Sequence, residues 1–297
     1  MRKGVGGGIE MMRCLLVALA GSANALAVPS GAERGVPRSA DEMMQRASAA
    51  VARGVADGKL RQTIKVVVPD DTREYKVFGA VPIQGTSAPE DLDPWPGGLL
   101  QQYPIALGLA KQVLQGVASD KAMSDQVLNA EDACGLVLAQ GATPSEDSAC
   151  IVFAGSDQMD DLAKVEGMVG DKRLLCLLNP QFRRLEDFSL WQKGKAKSMY
   201  FDRGYEVTFA FEELACRGED IKLIGEYGIG WRAFVYLDDQ QVEGIPLHDE
   251  PYLAERPAYT WLEARINERH PQPRWARMLN DVDEKGLRFM RGPDSSD

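Results

Sequence analysis

Lys172-Arg173-Leu174-Leu175-Cys176-Leu177-Leu178-Asn179-Pro180-Gln181-Phe182 decides the fold. Its five consecutive apolar residues show no polar alternation, which suits a strand covered on both faces, as in a parallel sheet flanked by helices. Asn179-Pro180 stops the run abruptly, since proline has no N–H for a ladder. In open α/β sheets, ligands bind beyond the carboxyl ends of the strands. Asn179 and Gln181 are therefore candidate ligand-binding residues.

Upstream, Ala149-Cys150-Ile151-Val152-Phe153-Ala154-Gly155 predicts another strand. It passes into Ser156-Asp157-Gln158-Met159, where Ser156 is expected to cap a helix ending near Gly167 to Gly170. Ile64 to Val68 is short and β-branched, a strand stopped by Pro69 and followed by Asp70 and Asp71. Before it, Ser39 and Glu42 form a capping pair, and Met43, Ala47, Ala50, Val51 and Val55 follow at helical spacing up to Gly58. A second helix is predicted after Trp95-Pro96-Gly97-Gly98, with Leu99, Leu100, Tyr103, Leu107, Ala110 and Leu114 on its apolar face; Pro104 is tolerable near its first turn. Val127 to Asn129 and Leu136 to Ala139 are short strand candidates around an acidic turn.

Downstream the period changes to two. Tyr205 to Phe211 alternates, and Ile221 to Tyr227 and Trp231 to Tyr236 are strands joined by the hairpin signal Gly228-Ile229-Gly230. The expected fold class is α/β: a mixed sheet of about six or seven strands with a parallel first half, flanking helices and an antiparallel C-terminal meander. The domain is expected over residues 39–239, and residues 240–297 read as an irregular extension with one helix from Tyr259 to Glu268.

The chain has 297 residues, 44% of them hydrophobic, enough for one large core, and a formal net charge of −10. Phosphate backbones are bound by clustered Lys and Arg, so this balance disfavours nucleic acid as a partner. Met11 to Ala20 is a short apolar core with a positive start, and Ala25-Leu26-Ala27 has the small-x-small pattern of signal peptidase sites. Residues 1–27 are thus expected to be a cleaved signal peptide, with a plain apolar helix as the alternative. Translation from Met1, Met11 or Met12 stays open. The apolar run is too short to remain as a membrane span. Residues 28–38 read as a linker or transit remnant.

Beyond Cys14, the four cysteines Cys134, Cys150, Cys176 and Cys216 show no metal or redox spacing. Cys150 and Cys176 sit in apolar runs, where a free thiol behaves as a small hydrophobe. A signal with core-type thiols fits delivery through the secretory entrance into a reducing compartment, as plastids of secondary origin receive proteins; secretion is the alternative.

Gly97-Gly98 at a helix start, with Gln101 in the next turn, has free amides that would favour an anion, although the spacing is neither a Walker nor a Rossmann fingerprint. Asp70, Asp71 and Asp157 stand at strand or helix ends, where aspartate commonly caps or turns. Ser156 lacks a nucleophile elbow. His248 and His270 fall in the C-terminal extension, which argues against a zinc or histidine-based site, and no cofactor or metal is expected. Trp231 reads as core. Trp95 and Trp191 read as loop residues that would serve as partner anchors.

Four stretches together resemble a domain-of-unknown-function family of oxygenic phototrophs. They are Pro37 to Met44 with Ala47 and Ala50, Trp95 to Gly98 with Gln101-Gln102, Leu177 to Phe182, and Gly225 to Val235 with Trp231, so that the resemblance covers Pro37 to about Asp239. Members include plastid low-photosystem-II-accumulation assembly factors, and the same domain is appended to a plastid adenylate kinase. The chain departs from the family pattern at Asp187-Phe188-Ser189, where Asp-Phe-Gly is usual, and at Tyr227 to Trp231, which lacks the usual proline. The resemblance implies a plastid protein, in the stroma or peripheral at the thylakoid, with a non-enzymatic auxiliary role in photosystem II assembly and photosystem subunits or assembly proteins as partners. The alternative function is an enzyme or sensor binding a phosphorylated or anionic small molecule at the strand ends.

Overall fold

Residues 35–68, 98–143, 146–237 and 243–277 are described by a computed structural model. The expected signal and linker, Asp70, Asp71, Trp95 and Gly97 lie outside these residues.

The capping pair forms as expected. Ser39 Oγ accepts from Glu42 N at 3.1 Å, and helix α1 runs from Ala40 to Ala56 with Met43, Ala47, Ala50 and Val51 buried. Strand β1 follows at Arg61–Lys65, three residues earlier than the β-branched run suggests. Its first three residues are polar, yet all are buried. Gln62 donates to the carbonyls of Val51 and Lys59, and the Thr63 hydroxyl meets that of Tyr200 at 3.1 Å, so hydrogen bonds replace apolar contact. Gly54 of α1 lies so close to β1 that a Cβ there would stand 2.7 Å from the Gln62 amide.

The remaining elements are α2 (Leu99–Val117), β2 (Ala122–Asn129), β3 (Cys134–Gln140), β4 (Ser148–Val152), α3 (Met159–Val169), β5 (Leu175–Leu178), α4 (Leu190–Ala196), β6 (Glu206–Cys216), β7 (Glu219–Glu226), β8 (Gly230–Tyr236), β9 (Ile245–Pro246) and α5 (Tyr259–Arg269). They build a nine-stranded mixed sheet in the order β2-β3-β4-β5-β1-β6-β7-β8-β9. β4, β5, β1 and β6 are parallel, and β6 to β9 form the antiparallel C-terminal meander. A second antiparallel wing, β2-β3-β4, extends the other edge.

Alternation along β5 divides the core. Cys176 and Leu178 face the layer of α1 and α2, whereas Leu175 and Leu177 face that of α3, and all four are fully buried. The strand is therefore covered on both faces, as its unbroken apolar run requires. On the α3 side of the meander, Leu262 and Ile266 of α5 pack with Ile221, Leu223, Ala233 and Val235. In the β7–β8 hairpin, the Trp231 ring lies over its partner Gly225, and a Cβ there would meet the indole at 2.7 Å. Trp231 is thus a half-buried part of the core.

Candidate functional site

The connection from β1 leaves through α2 on one face of the sheet, and that from its neighbour β5 leaves through α4 on the other. The strand ends of β1 and β5 form the topological switch point, where an α/β sheet opens a crevice. Here Asn179 occupies it. Its backbone is left-handed at φ 48, a conformation that asparagine tolerates better than most residues. Its Oδ1 accepts from Val66 N at 2.8 Å and its Nδ2 donates to Val66 O at 2.9 Å. The side-chain amide thus imitates a peptide group and continues the β1–β5 ladder by one rung. Gln181 completes the closure, donating its backbone N–H to Ala154 O at 2.8 Å and its Nε2 to Asn179 O at 2.7 Å.

The other predicted residues are distributed around this edge. Ser156 is half-buried and begins a 3-10 turn, Ser156–Gln158, before α3. It is not the cap expected from sequence: Gly155 holds that position, and Gln158 Oε1 reaches back to accept from Gly155 N at 2.8 Å. Gly98 is the N-cap of α2, and its carbonyl accepts from Gln101 and Gln102. Its φ of −68° is ordinary for any residue, so glycine is not needed there for conformation. The half-buried Gln101 lies in the first turn of α2, and Tyr103 of that turn sits against Gly135, the β3 partner of Val152 at the end of β4. Asp157 is exposed and accepts from Gln192 of α4 at 2.9 Å.

Replacing Asn179 by alanine should therefore lower stability. Both polar groups of Val66 lose their partner, at about 1–3 kcal/mol, and alanine is strained at positive φ. Asn179→Gly should cost less than Asn179→Ala because it removes only the bonds. Urea unfolding of both variants checks this, and wild-type stability in Asn179→Ala would show that the amide does not hold the strand ends.

The ionisable groups are engaged in structure. At the opposite edge of the parallel strands, Arg61 grips Glu166, which also accepts from Tyr205 Oη at 2.7 Å and from Arg203 at 3.2 Å. Burial, reinforced by Glu166, pushes the Tyr205 phenol well up. Arg46 of α1 forks onto the buried Glu226 of β7, at 2.9 and 2.6 Å. Burial raises the Cys134 and Cys150 thiols to about 12 and holds Cys176 well above the ordinary range, opposite to what a nucleophile needs. The four cysteines of the described residues are buried and free. No group of three or more His, Cys, Asp or Glu positioned to hold a metal ion occurs among the described residues.

His248 was legible only as one histidine of an irregular tail. Its side chain is fully buried, with Nε2 accepting from Ala233 N at 3.4 Å and the Trp261 ring at 6.0 Å. Burial lowers its pKa, with Arg232 acting in the same direction against a backbone contact at Glu250. The unfolded chain then takes up a proton that the folded state excludes. Stability is fully present above the unfolded value of about 6.5 and falls as pH drops through the lower folded value. His248→Gln should lose less stability than wild type between about pH 7.5 and about pH 5.5. Equal losses in denaturant titrations would remove His248 as a source of acid sensitivity.

Two hollows accompany these groups. One, of about 540 Å³, is lined by Arg217, Gly218, Pro273, Arg274 and Trp275. The other, of about 350 Å³, lies by the β7–β8 turn between Glu206, Glu226 and Trp231. The most exposed large apolar side chains are elsewhere: Leu190 and Trp191 are 84% and 95% exposed. Trp191 stands in α4 rather than in the loop its surroundings suggested. Leu190 was not singled out, although two adjacent apolar residues in a lysine-rich stretch are a readable signal. Among the described residues, no helix is long and apolar enough to cross a membrane.

The model of a family described as Domain of unknown function (DUF1995) matches residues 37–257. No curated protein and no solved structure matches the chain.

Proposed function

We propose, for a chain that belongs to the Domain of unknown function (DUF1995) family, a non-enzymatic auxiliary role in photosystem II assembly, carried out in a plastid and peripherally at the thylakoid. The observation that carries this reading is the closure of the switch point. The place where a parallel sheet would hold a small molecule is used by Asn179 for main-chain pairing with Val66. Apolar surface is instead presented outward, at Leu190 and Trp191, which suits contact with a large partner. The resemblance of the Pro37, Trp95, Leu177 and Gly225 stretches to plastid assembly factors supplies the compartment and the process. The reading predicts that the tagged chain recovers photosystem II subunits or their assembly proteins from thylakoid extract. Recovery of none, together with a melting temperature raised by a phosphorylated metabolite, would replace it with the small-molecule reading. The address is tested by fusing the first forty or so residues to a fluorescent protein in an alga with complex plastids, where export to the medium would overturn it.

A further inference from the structure

The segment from Phe182 to Phe201 presents Leu190 and Trp191 on a fixed platform. Beneath them, Phe182, Phe188, Tyr200 and Phe201 form a chain of edge and tilted ring contacts, with centroids 4.8 to 6.1 Å apart. Ala196 is fully buried against this cluster. Gln192 ties α4 to Asp157 and Lys195 ties it to Asp160, so the helix is fastened to the start of α3. The outward position of the two apolar side chains is thus a property of the packed fold.

Charge on the segment runs against that of the chain. Lys195 is taken by Asp160 and Arg184 by Asp187. Lys193 and Lys197 form no ion pair among the described residues, and neither does Arg183 in the loop leading to α4; Glu186 is the acid left on the same stretch. Lys193 lies one helical turn from Leu190, and Lys197 one turn further. A cationic, apolar projection on a chain of net charge −10 is matched by a surface that is negatively charged outside and apolar just below. An anionic bilayer has that order. Tryptophan and leucine enter the headgroup boundary while lysine stems lie along it with their ammonium groups among the phosphates. A convex pair of side chains without an adjoining groove also offers too little area for a stable protein interface, whereas a fluid bilayer conforms to it.

We infer that Leu190 and Trp191, flanked by Lys193 and Lys197, dock this protein onto an anionic lipid surface. The inference rests on the peripheral attachment in the function proposed above and names the surface and the lipid chemistry responsible. The test uses the full chain with vesicles of phosphatidylcholine alone and of phosphatidylcholine mixed with phosphatidylglycerol. Wild type should cosediment with the mixed vesicles and more weakly with the neutral ones. Leu190→Ser/Trp191→Ser and Lys193→Glu/Lys197→Glu should each reduce binding at least about ten-fold, with unchanged melting temperature because these side chains face solvent. Phosphatidylglycerol with brominated acyl chains should quench wild-type tryptophan fluorescence, and Trp191→Phe should lose most of that quenching.

Failure of wild type to bind, equal binding by both double variants, or unchanged quenching in Trp191→Phe would each overturn the inference. Loss of photosystem subunit capture in Lys193→Glu/Lys197→Glu without any vesicle binding by wild type would make the patch a protein interface instead, leaving the assembly reading intact. Vesicle binding that depends on the patch, with no subunit captured, would overturn the assembly reading and leave the docking surface standing.

Discussion

Arg61→Met is expected to destabilise the protein by about 3–5 kcal/mol, a large fraction of the roughly 5–15 kcal/mol that holds a domain folded. Arg61 is 8% exposed at the start of β1, and its Nε and Nη2 reach the Glu166 carboxylate at 2.7 to 3.0 Å. The same guanidinium donates to the carbonyls of Leu60, Arg173 and Gly170, so one side chain joins β1, the end of α3 and the approach to β5. Methionine fills the space but leaves Glu166, 3% exposed, with only Tyr205 and the half-exposed Arg203. The large cost comes from that uncompensated charge. Arg61→Met/Glu166→Leu should consequently recover much of the loss, since a well-packed apolar pair often matches a buried ion pair. Arg61→Lys should fall between, because an ammonium cannot reproduce the fork. Urea midpoints at constant slope measure all three, and a single variant within about 0.5 kcal/mol of wild type would deny the pair its structural role.

Leu177→Ala and Leu178→Ala should each cost about 2–5 kcal/mol. Both leucines are fully buried, but they point into different layers, Leu177 toward α3 and Leu178 toward α1 and α2. A strand with one wet face would show one severe and one mild substitution. Two comparable losses in thermal or urea unfolding are expected here, and a cost below about 1 kcal/mol at either position would contradict the double cover.

Leu174 to Leu178 was readable because an unbroken apolar run has few alternatives, and α1 and the β7–β8 hairpin were readable because their caps and turn residues act locally. β1 was harder to place. Arg61, Gln62 and Thr63 are buried by virtue of Glu166, the Val51 and Lys59 carbonyls and Tyr200, partners that no local window contains. The same holds at the candidate site. Asn179 was correctly placed at a strand end, but its work is set by Val66, 113 residues away in the chain. Gly98 was read from its type alone, whereas its backbone is extended and ordinary. The cap expected of Ser156 is supplied by Gln158 because a longer amide can also reach Asp132, at 2.6 Å.

The central position of β1 governs how the chain assembles as it is made. Its two neighbours are β5 and β6, so after Lys65 has emerged both of its edges stay open until residues as late as Glu206 to Ala210 have been synthesised. Parallel pairing over such separations closes large loops before any contact rewards them, and places the protein among slow folders of high contact order. Through that interval the nascent chain carries an unpaired strand bearing Ile64 and followed by Val66-Val67-Val68, a template for pairing with other chains. Yield on expression should therefore depend on holding chaperones and on synthesis rate more than on the stability of the finished sheet.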